Sequence, residues 1–205
     1  ILIMAVITGA YLILGGYFAV AITDCIQGVI MLVGALLLVH FMAQAANPGG
    51  SIVETARLAS QKYAEHKAAG LANPGPGYLL PSIVAMTSFG CWALPQMVHK
   101  FYAVKSEGMI VRGAVVCTVF ALVIGCAAYF TGSLSHLFFD QLPQVANGAP
   151  QDTLVPRMLV DPRVPKPLLG LILVLLLSAS MSTLSGLVLV SASAVTIDLY
   201  KGMVD

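Results

Sequence analysis

Four long apolar runs set the plan of the chain, over residues 17–44, 78–102, 113–139 and 167–199. At about 1.5 Å of rise per residue, each is long enough as a helix to cross about 30 Å of hydrocarbon. A shorter run, 1–14, stops at Gly15-Gly16 and predicts only the end of a helix. The two long intervals between spans, 45–77 and 140–166, are polar loops. The first loop opens with Asn47-Pro48-Gly49-Gly50, strong turn chemistry, and then changes character. Ile52, Ala56, Ala59 and Tyr63 recur at helical spacing among Glu54, Arg57, Lys62, Glu65 and Lys67, which predicts an amphipathic helix over 51–70 outside the hydrocarbon. Asn73-Pro74-Gly75-Pro76-Gly77 breaks the chain again. The second loop is Pro-rich and predicts a short helix over 154–159. Lys100, Lys105, Glu107 and Arg112 form a short charged connection between the second and third spans.

Composition strengthens this plan. Of the residues, 59% are hydrophobic and 9% charged, against about 25% charged in ordinary soluble domains. With a mean hydropathy of +0.92, the chain is a multi-pass membrane protein whose partner is the bilayer. A net charge of +1 gives nucleic acid nothing to bind. Cys25, Cys91, Cys117 and Cys126 lie in apolar runs without a CxxC or Cys/His cluster, so they read as small buried hydrophobes. The chain opens at Ile1, already inside an apolar run and without a signal-peptide pattern. The expectation is one transmembrane domain, 1–205, that is an internal piece of a larger protein. Basic residues do not orient it. Lys100, Lys105, Arg112 and Lys201 fall on one side, and Arg57, Lys62, Lys67, Arg157, Arg163 and Lys166 on the other.

Three features are out of place in hydrocarbon. The first is the hydroxyl cluster in Leu177-Ser178-Ala179-Ser180-Met181-Ser182-Thr183-Leu184-Ser185-Gly186. On a helix Ser178, Ser182 and Ser185 share a face, with Thr183 beside them. Such a face is either a close-packed helix–helix seam or half a cage for a hard cation, in which the Ser182 and Thr183 hydroxyls and the Ala179 carbonyl supply oxygens. The second is Asp24, about two turns into its span. It is either a carboxylate near the interface, hydrated or paired with a loop lysine, or a functional group. The third is the stretch Ser88, Gly90, Trp92 and Pro95 in the second span, where the helix is expected to break. That break is either a simple kink with Trp92 in an interface belt, or the wall of a cavity. His40, His66, His99 and His136 sit at span ends or in loops without ligand spacing and read as interface histidines. No HExxH, GxSxG or P-loop occurs, so no enzyme constellation stands out.

These segments resemble a known family. Gly15-Gly16-Tyr17-Phe18-Ala19-Val20-Ala21-Ile22-Thr23-Asp24-Cys25-Ile26-Gln27-Gly28 is similar to the GG…AV..TD..Q segment of the sodium/solute symporter family, which includes sodium/proline, sodium/pantothenate and sodium/glucose transporters. Ala93-Leu94-Pro95-Gln96-Met97-Val98-His99-Lys100-Phe101-Tyr102-Ala103-Val104-Lys105 resembles its G-Q-P-H…R-F-x-A-x-K segment, with Ala93-Leu94-Pro95-Gln96 and Lys100 as departures. Ser180 to Ser185, Leu187 to Ala194 and Asp198-Leu199-Tyr200-Lys201 resemble its M-S-T-x-S…D-x-Y-K block.

The resemblance implies an all-α membrane protein, a segment of a leucine-transporter-type five-plus-five inverted-repeat helix bundle. The chain would hold the end of the fourth core helix and the fifth to eighth. The Lys100–Arg112 connection would be cytoplasmic and the polar loops outside. Carried over by position, Ala179, Ser182 and Thr183 match sodium ligands, Asp24 matches an aspartate on the sodium exit path, and Ser88 to Pro95 match the unwound helix that lines the substrate cavity. The first core helix, which supplies the remaining sodium ligands, would belong to the missing helices of the parent chain. The expected function is sodium-coupled symport of a small organic solute across the cell membrane, with sodium as coupling ion, no other cofactor and no enzymatic activity. Two alternatives stay open: a symporter-like membrane sensor domain of a signalling protein, and a proton-coupled carrier that uses Asp24.

Overall fold

A computed structural model describes residues 2–70, 77–90, 94, 97–98, 104, 106–140 and 151–204. Helices carry the described chain: α1 (Leu2–Ala46), α2 (Ile52–Ala68), α3 (Leu79–Gly90), α4 (Glu107–Ser133), α5 (Ser135–Phe138), α6 (Leu154–Leu159) and α7 (Lys166–Ser193). Wider π-type turns continue α7 over Ala194–Lys201. Among the described residues, three stretches are long and apolar enough to cross a membrane: Val6–Ala46, Glu107–Phe138 and Lys166–Ile197. Leu79–Gly90 is a shorter apolar helix. Their surfaces suit hydrocarbon. Ile13, Leu14 and Tyr129 are 86%, 89% and 77% exposed, a display of apolar surface that water would penalise at about 25 cal/mol per Å².

Helix ends follow local chemistry. At Gly16, φ is +53° and ψ −147°, so α1 is two helical pieces joined at one left-handed residue that only glycine adopts without strain. The Gly15-Gly16 stop therefore interrupts a continuing helix. Ser51 caps α2: its Oγ accepts the Glu54 amide at 3.1 Å, and Glu54 stands at the third helical position where a capping box needs it. Gly70, with φ +70°, closes the other end. The third long helix begins at Glu107, so Arg112 lies inside it and not in the connection before it. An acidic residue in that first turn complements the helix dipole.

The chain divides into two compact units. Unit 1 comprises Ile1–Met31, Tyr78–Val116 and Leu176–Asp205; unit 2 comprises Leu32–Gly77 and Cys117–Leu175. Unit 2 holds a continuous core of Met42 and Ala45 from α1, Ala59 from α2, Leu134 and Phe138 around α5, Met158 and Leu159 from α6, and Val164, Leu168 and Ile172 leading into α7. Met42, Leu134 and Met158 are fully buried, each contributing about 1.5–3 kcal/mol by leaving water. A tight approach of α1 to α7 supports this unit, since a Cβ built on Gly34 would stand 2.9 Å from Leu175 Cδ1.

The loop over 151–164 is clamped by a single arginine. Arg163 donates from Nε to Asp161 Oδ1 (2.8 Å), from Nη2 to Asp161 Oδ2 (2.9 Å) and from its backbone N–H to Asp161 Oδ1 (3.0 Å). Nη2 also reaches the Phe138 carbonyl at 3.2 Å, and the guanidinium lies 4.5 Å over the Phe138 ring. Of the cysteines, Cys25, Cys117 and Cys126 are exposed, contrary to the expectation of burial. They lie on outward faces of the long helices, where a small thiol meets hydrocarbon as readily as a core.

Candidate functional site

The hydroxyls of α7 face one problem: a helix in an apolar medium must satisfy every polar group internally or across a seam. Most take the internal route. Ser180 Oγ donates to the Leu176 carbonyl (2.8 Å), Thr183 Oγ1 to the Ala179 carbonyl (3.0 Å) and Ser185 Oγ to the Ser182 carbonyl (2.9 Å). Ser182 differs. Its Oγ donates to Asp24 Oδ1 at 2.7 Å, across unit 1, from α7 to α1. That length is the ordinary one for a well-formed hydrogen bond from a hydroxyl to an oxygen.

The surroundings fit a seam built on this bond. Ser178 and Ser185 are buried, 8% and 0% exposed, one turn either side of Ser182. On α1, Val20 is buried one turn before Asp24. Thr23, next to Asp24, turns its hydroxyl back to the Ala19 and Val20 carbonyls (2.9 and 3.0 Å) and stays out of the seam. One turn after Asp24, the Gln27 Oε1 atom is buried without a hydrogen-bond partner, an acceptor that sequence reasoning did not single out. Its signal was its position, three residues beyond the aspartate on the same helix face.

Ala179 and Thr183 belong to a second, adjacent surface. With Ser180, Leu184 and Leu187 they line an open groove of about 440 Å³ along α7. The Ala179 carbonyl and Thr183 hydroxyl oxygens stand 3.0 Å apart there, a separation that lets one hard cation contact both at about 2.4 Å. The three sodium candidates thus occur as a pair, Ala179 with Thr183, and a third, Ser182, engaged by Asp24.

Ser88 and Gly90 lie exposed near the end of α3. Trp92 and Pro95 lie outside the described residues. The next described helical residues, Met97 and Val98, bond through their amides to the Leu94 carbonyl at 2.9 and 3.2 Å.

Comparison with known proteins gives this arrangement a context. The family model described as the sodium:solute symporter family matches residues 1–205. The chain is 27% identical over 205 residues to a sodium/pantothenate symporter of Haemophilus influenzae, covering 98% of this chain and 40% of that protein. It is 26% identical over 210 residues to a sodium/proline symporter of the same organism, again 98% and 40%. A sodium/proline symporter of Staphylococcus aureus is 26% identical over 205 residues, covering 98% of this chain and 37% of its own. The chain therefore spans about 40% of the length of these curated relatives. No solved structure gives a significant match. With a family match over its whole length and, among the described residues, three helices long and apolar enough to cross a membrane, this multi-pass membrane chain belongs to the sodium:solute symporter family.

Proposed function

We propose that this chain is the central segment of a sodium-coupled symporter that carries a small organic solute across the cell membrane, a carrier and not an enzyme, with sodium as its only cofactor. Its helices form part of a five-plus-five inverted-repeat bundle, as one transmembrane domain over 1–205, and further helices of a parent chain complete the ion and solute sites. Sodium binds at the Ala179 carbonyl and the Ser182 and Thr183 hydroxyls. Asp24 lies on its exit path, and Ser88, Gly90, Trp92 and Pro95 border the solute cavity. The solute class is that of the relatives, whose names specify proline and pantothenate.

The observation that carries this reading is the 2.7 Å bond from Ser182 to Asp24. A hydroxyl that donates its proton to a carboxylate keeps its lone pairs for a cation and presents a more negative oxygen to it. Asp24 thereby strengthens the ligand while sodium is bound and offers the next carboxylate as it leaves. Occupation of the ion site favours the solute-ready conformation, and the coupling is reciprocal: each ligand raises the affinity of the other by the same factor.

The test is uptake of labelled proline, pantothenate, sugars and short-chain carboxylates by the full-length protein in proteoliposomes. Each solute is run with an inward sodium gradient and with potassium at constant pH, in wild type and in Ser182→Ala/Thr183→Ala. Sodium-dependent uptake that the folded double variant loses supports the reading. Uptake indifferent to sodium refutes it in favour of proton coupling through Asp24, and absence of uptake for every solute refutes carriage in favour of a sensor.

A further inference from the structure

The structure brings two histidines together that the transport reading does not use. His66, on the last turn of α2, and His136, in α5, place their Nδ1 atoms 3.0 Å apart. Their ring centroids are 5.2 Å apart with planes at 58°. His66 is only 4% exposed, and the edge of Tyr63, one turn back on α2, packs on the His136 ring at 5.2 Å. It is a polar contact between α2 and α5, which pack on each other.

Two Nδ1 atoms in this position hold one proton between them: one ring donates, the other accepts. In the neutral pair the donor carries its proton on Nδ1 and leaves its Nε2 able to take another. One added proton therefore goes to that Nε2 and leaves the contact intact, now donated by an imidazolium to a neutral ring. A second added proton must go to the accepting Nδ1. Two N–H groups then point at each other and two cations stand in contact in a buried place, so the contact breaks.

The neighbouring charges do not rescue the doubly protonated pair. On α2, Glu65 is bonded to Lys62 at 3.1 Å, and Lys67 adds a further cation beside His66. On α6 the charge is that of Arg157. In the turn beyond α6, Asp161 is bonded to Arg163, whose guanidinium is also the base beside Asp140. Near the end of α1, His40 meets the Phe41 ring edge-to-face at 5.5 Å. The carboxylates named here already answer to bases, and the remaining charges are cations.

We propose that His66 and His136 form an acid-released latch, which holds the C-terminal end of α2 on α5 at neutral pH and lets it go when both rings are protonated. The inference is independent of which solute or ion the protein carries.

The test uses the full-length protein in a cysteine-free background, with spin labels at Ala68→Cys and Ser133→Cys and a chelator present to exclude metal bridging. Both sites are exposed. The distance between the labels is expected to hold at pH 7.5 and to lengthen by about 5 Å, one helical turn, as the pH falls from about 6.5 to about 5. His136→Gln retains a hydrogen-bonding partner for His66 without a second titrating ring. It should keep the wild-type distance at pH 7.5 and hold it at pH 5. No lengthening in the wild-type pair overturns the proposal, and so does lengthening of equal size in His136→Gln. If His136→Gln has already lost the distance at pH 7.5, His66→Asn provides the same comparison.

Discussion

Ser182 on α7 donates its hydroxyl to Asp24 Oδ1 on α1 at 2.7 Å, a bond between residues 158 positions apart. In a medium without water, this donor is part of what keeps a carboxylate tolerable, and loss of the donor leaves it under-bonded. Ser182→Ala should therefore destabilise the protein by about 1 kcal/mol. Ser180→Ala, which removes only a hydroxyl bonded within its own helix at 2.8 Å, should be near neutral. The check is a double-mutant cycle with Asp24→Asn, read by unfolding in detergent micelles. Additive effects would mean that the two side chains are not energetically coupled.

Thr183 is exposed to the groove and holds the Ala179 carbonyl at 3.0 Å. Its removal takes away an ion ligand under the proposed function but little packing. Thr183→Ala is expected to raise the sodium concentration for half-maximal uptake by about tenfold, equivalent to about 1.4 kcal/mol, with an unchanged melting temperature. Thr183→Ser keeps the oxygen and should restore the sodium response. A sodium titration of uptake in the three proteins decides it; equal responses in all three would remove Thr183 from the ion site.

Gly16 and Gly34 of α1 act in different ways. Gly16 sits at φ +53°, so Gly16→Ala should cost about 1–2 kcal/mol through backbone strain. Gly34 has helical geometry, but its missing Cβ makes room for Leu175 Cδ1 at 2.9 Å. Gly34→Val should cost about 1–3 kcal/mol through overpacking, and Leu175→Ala should recover part of that loss. At Gly16 no neighbouring truncation should help, because nothing lies within 4 Å of the added Cβ. Thermal unfolding of the single and paired variants separates the two mechanisms.

These contrasts mark what the sequence could and could not carry. Long apolar helices follow from run length alone, and the shared face of Ser178, Ser182 and Ser185 follows from helical spacing. What lies opposite that face does not. A pattern on one helix holds no information about its partner, so Asp24 could be read as an exit residue or as the partner of a loop lysine, but not as the acceptor for Ser182. The same limit governs α2. Its periodic residues suggested a face through Ile52, Ala56, Ala59 and Tyr63, whereas the buried residues are Thr55, Ala59 and His66 and Ile52 is exposed. The inward face carries Ala59 into the apolar core beside Leu134 and Phe138 and brings His66 to His136. Histidines 70 residues apart show no ligand spacing, and only the fold makes them neighbours.

The loop clamp offers a pH prediction of the same sign as the histidine latch, in a more acid range. The hydrogen bonds from Arg163 hold the Asp161 carboxyl below its usual range, and the guanidinium is correspondingly held above its own. Because the folded-state value is depressed, the stability this pair contributes is fully present above the unfolded carboxyl value near about 3.9. It is lost as the pH falls through the lower folded value. Arg163 is 44% exposed and Asp161 19%, so solvent screening keeps the effect below about 1 kcal/mol. Asp161→Asn should thus be less stable than wild type at pH 7 and should converge with it once the pH falls below the depressed folded value, where both side chains are neutral. Arg163→Ala should stay less stable at both, since the contacts of the guanidinium with the Phe138 carbonyl and ring do not titrate in this range. Unfolding measured across that interval separates the two variants. Convergence of Arg163→Ala with wild type in acid would show that the ion pair alone, and not the anchorage on Phe138, holds the loop.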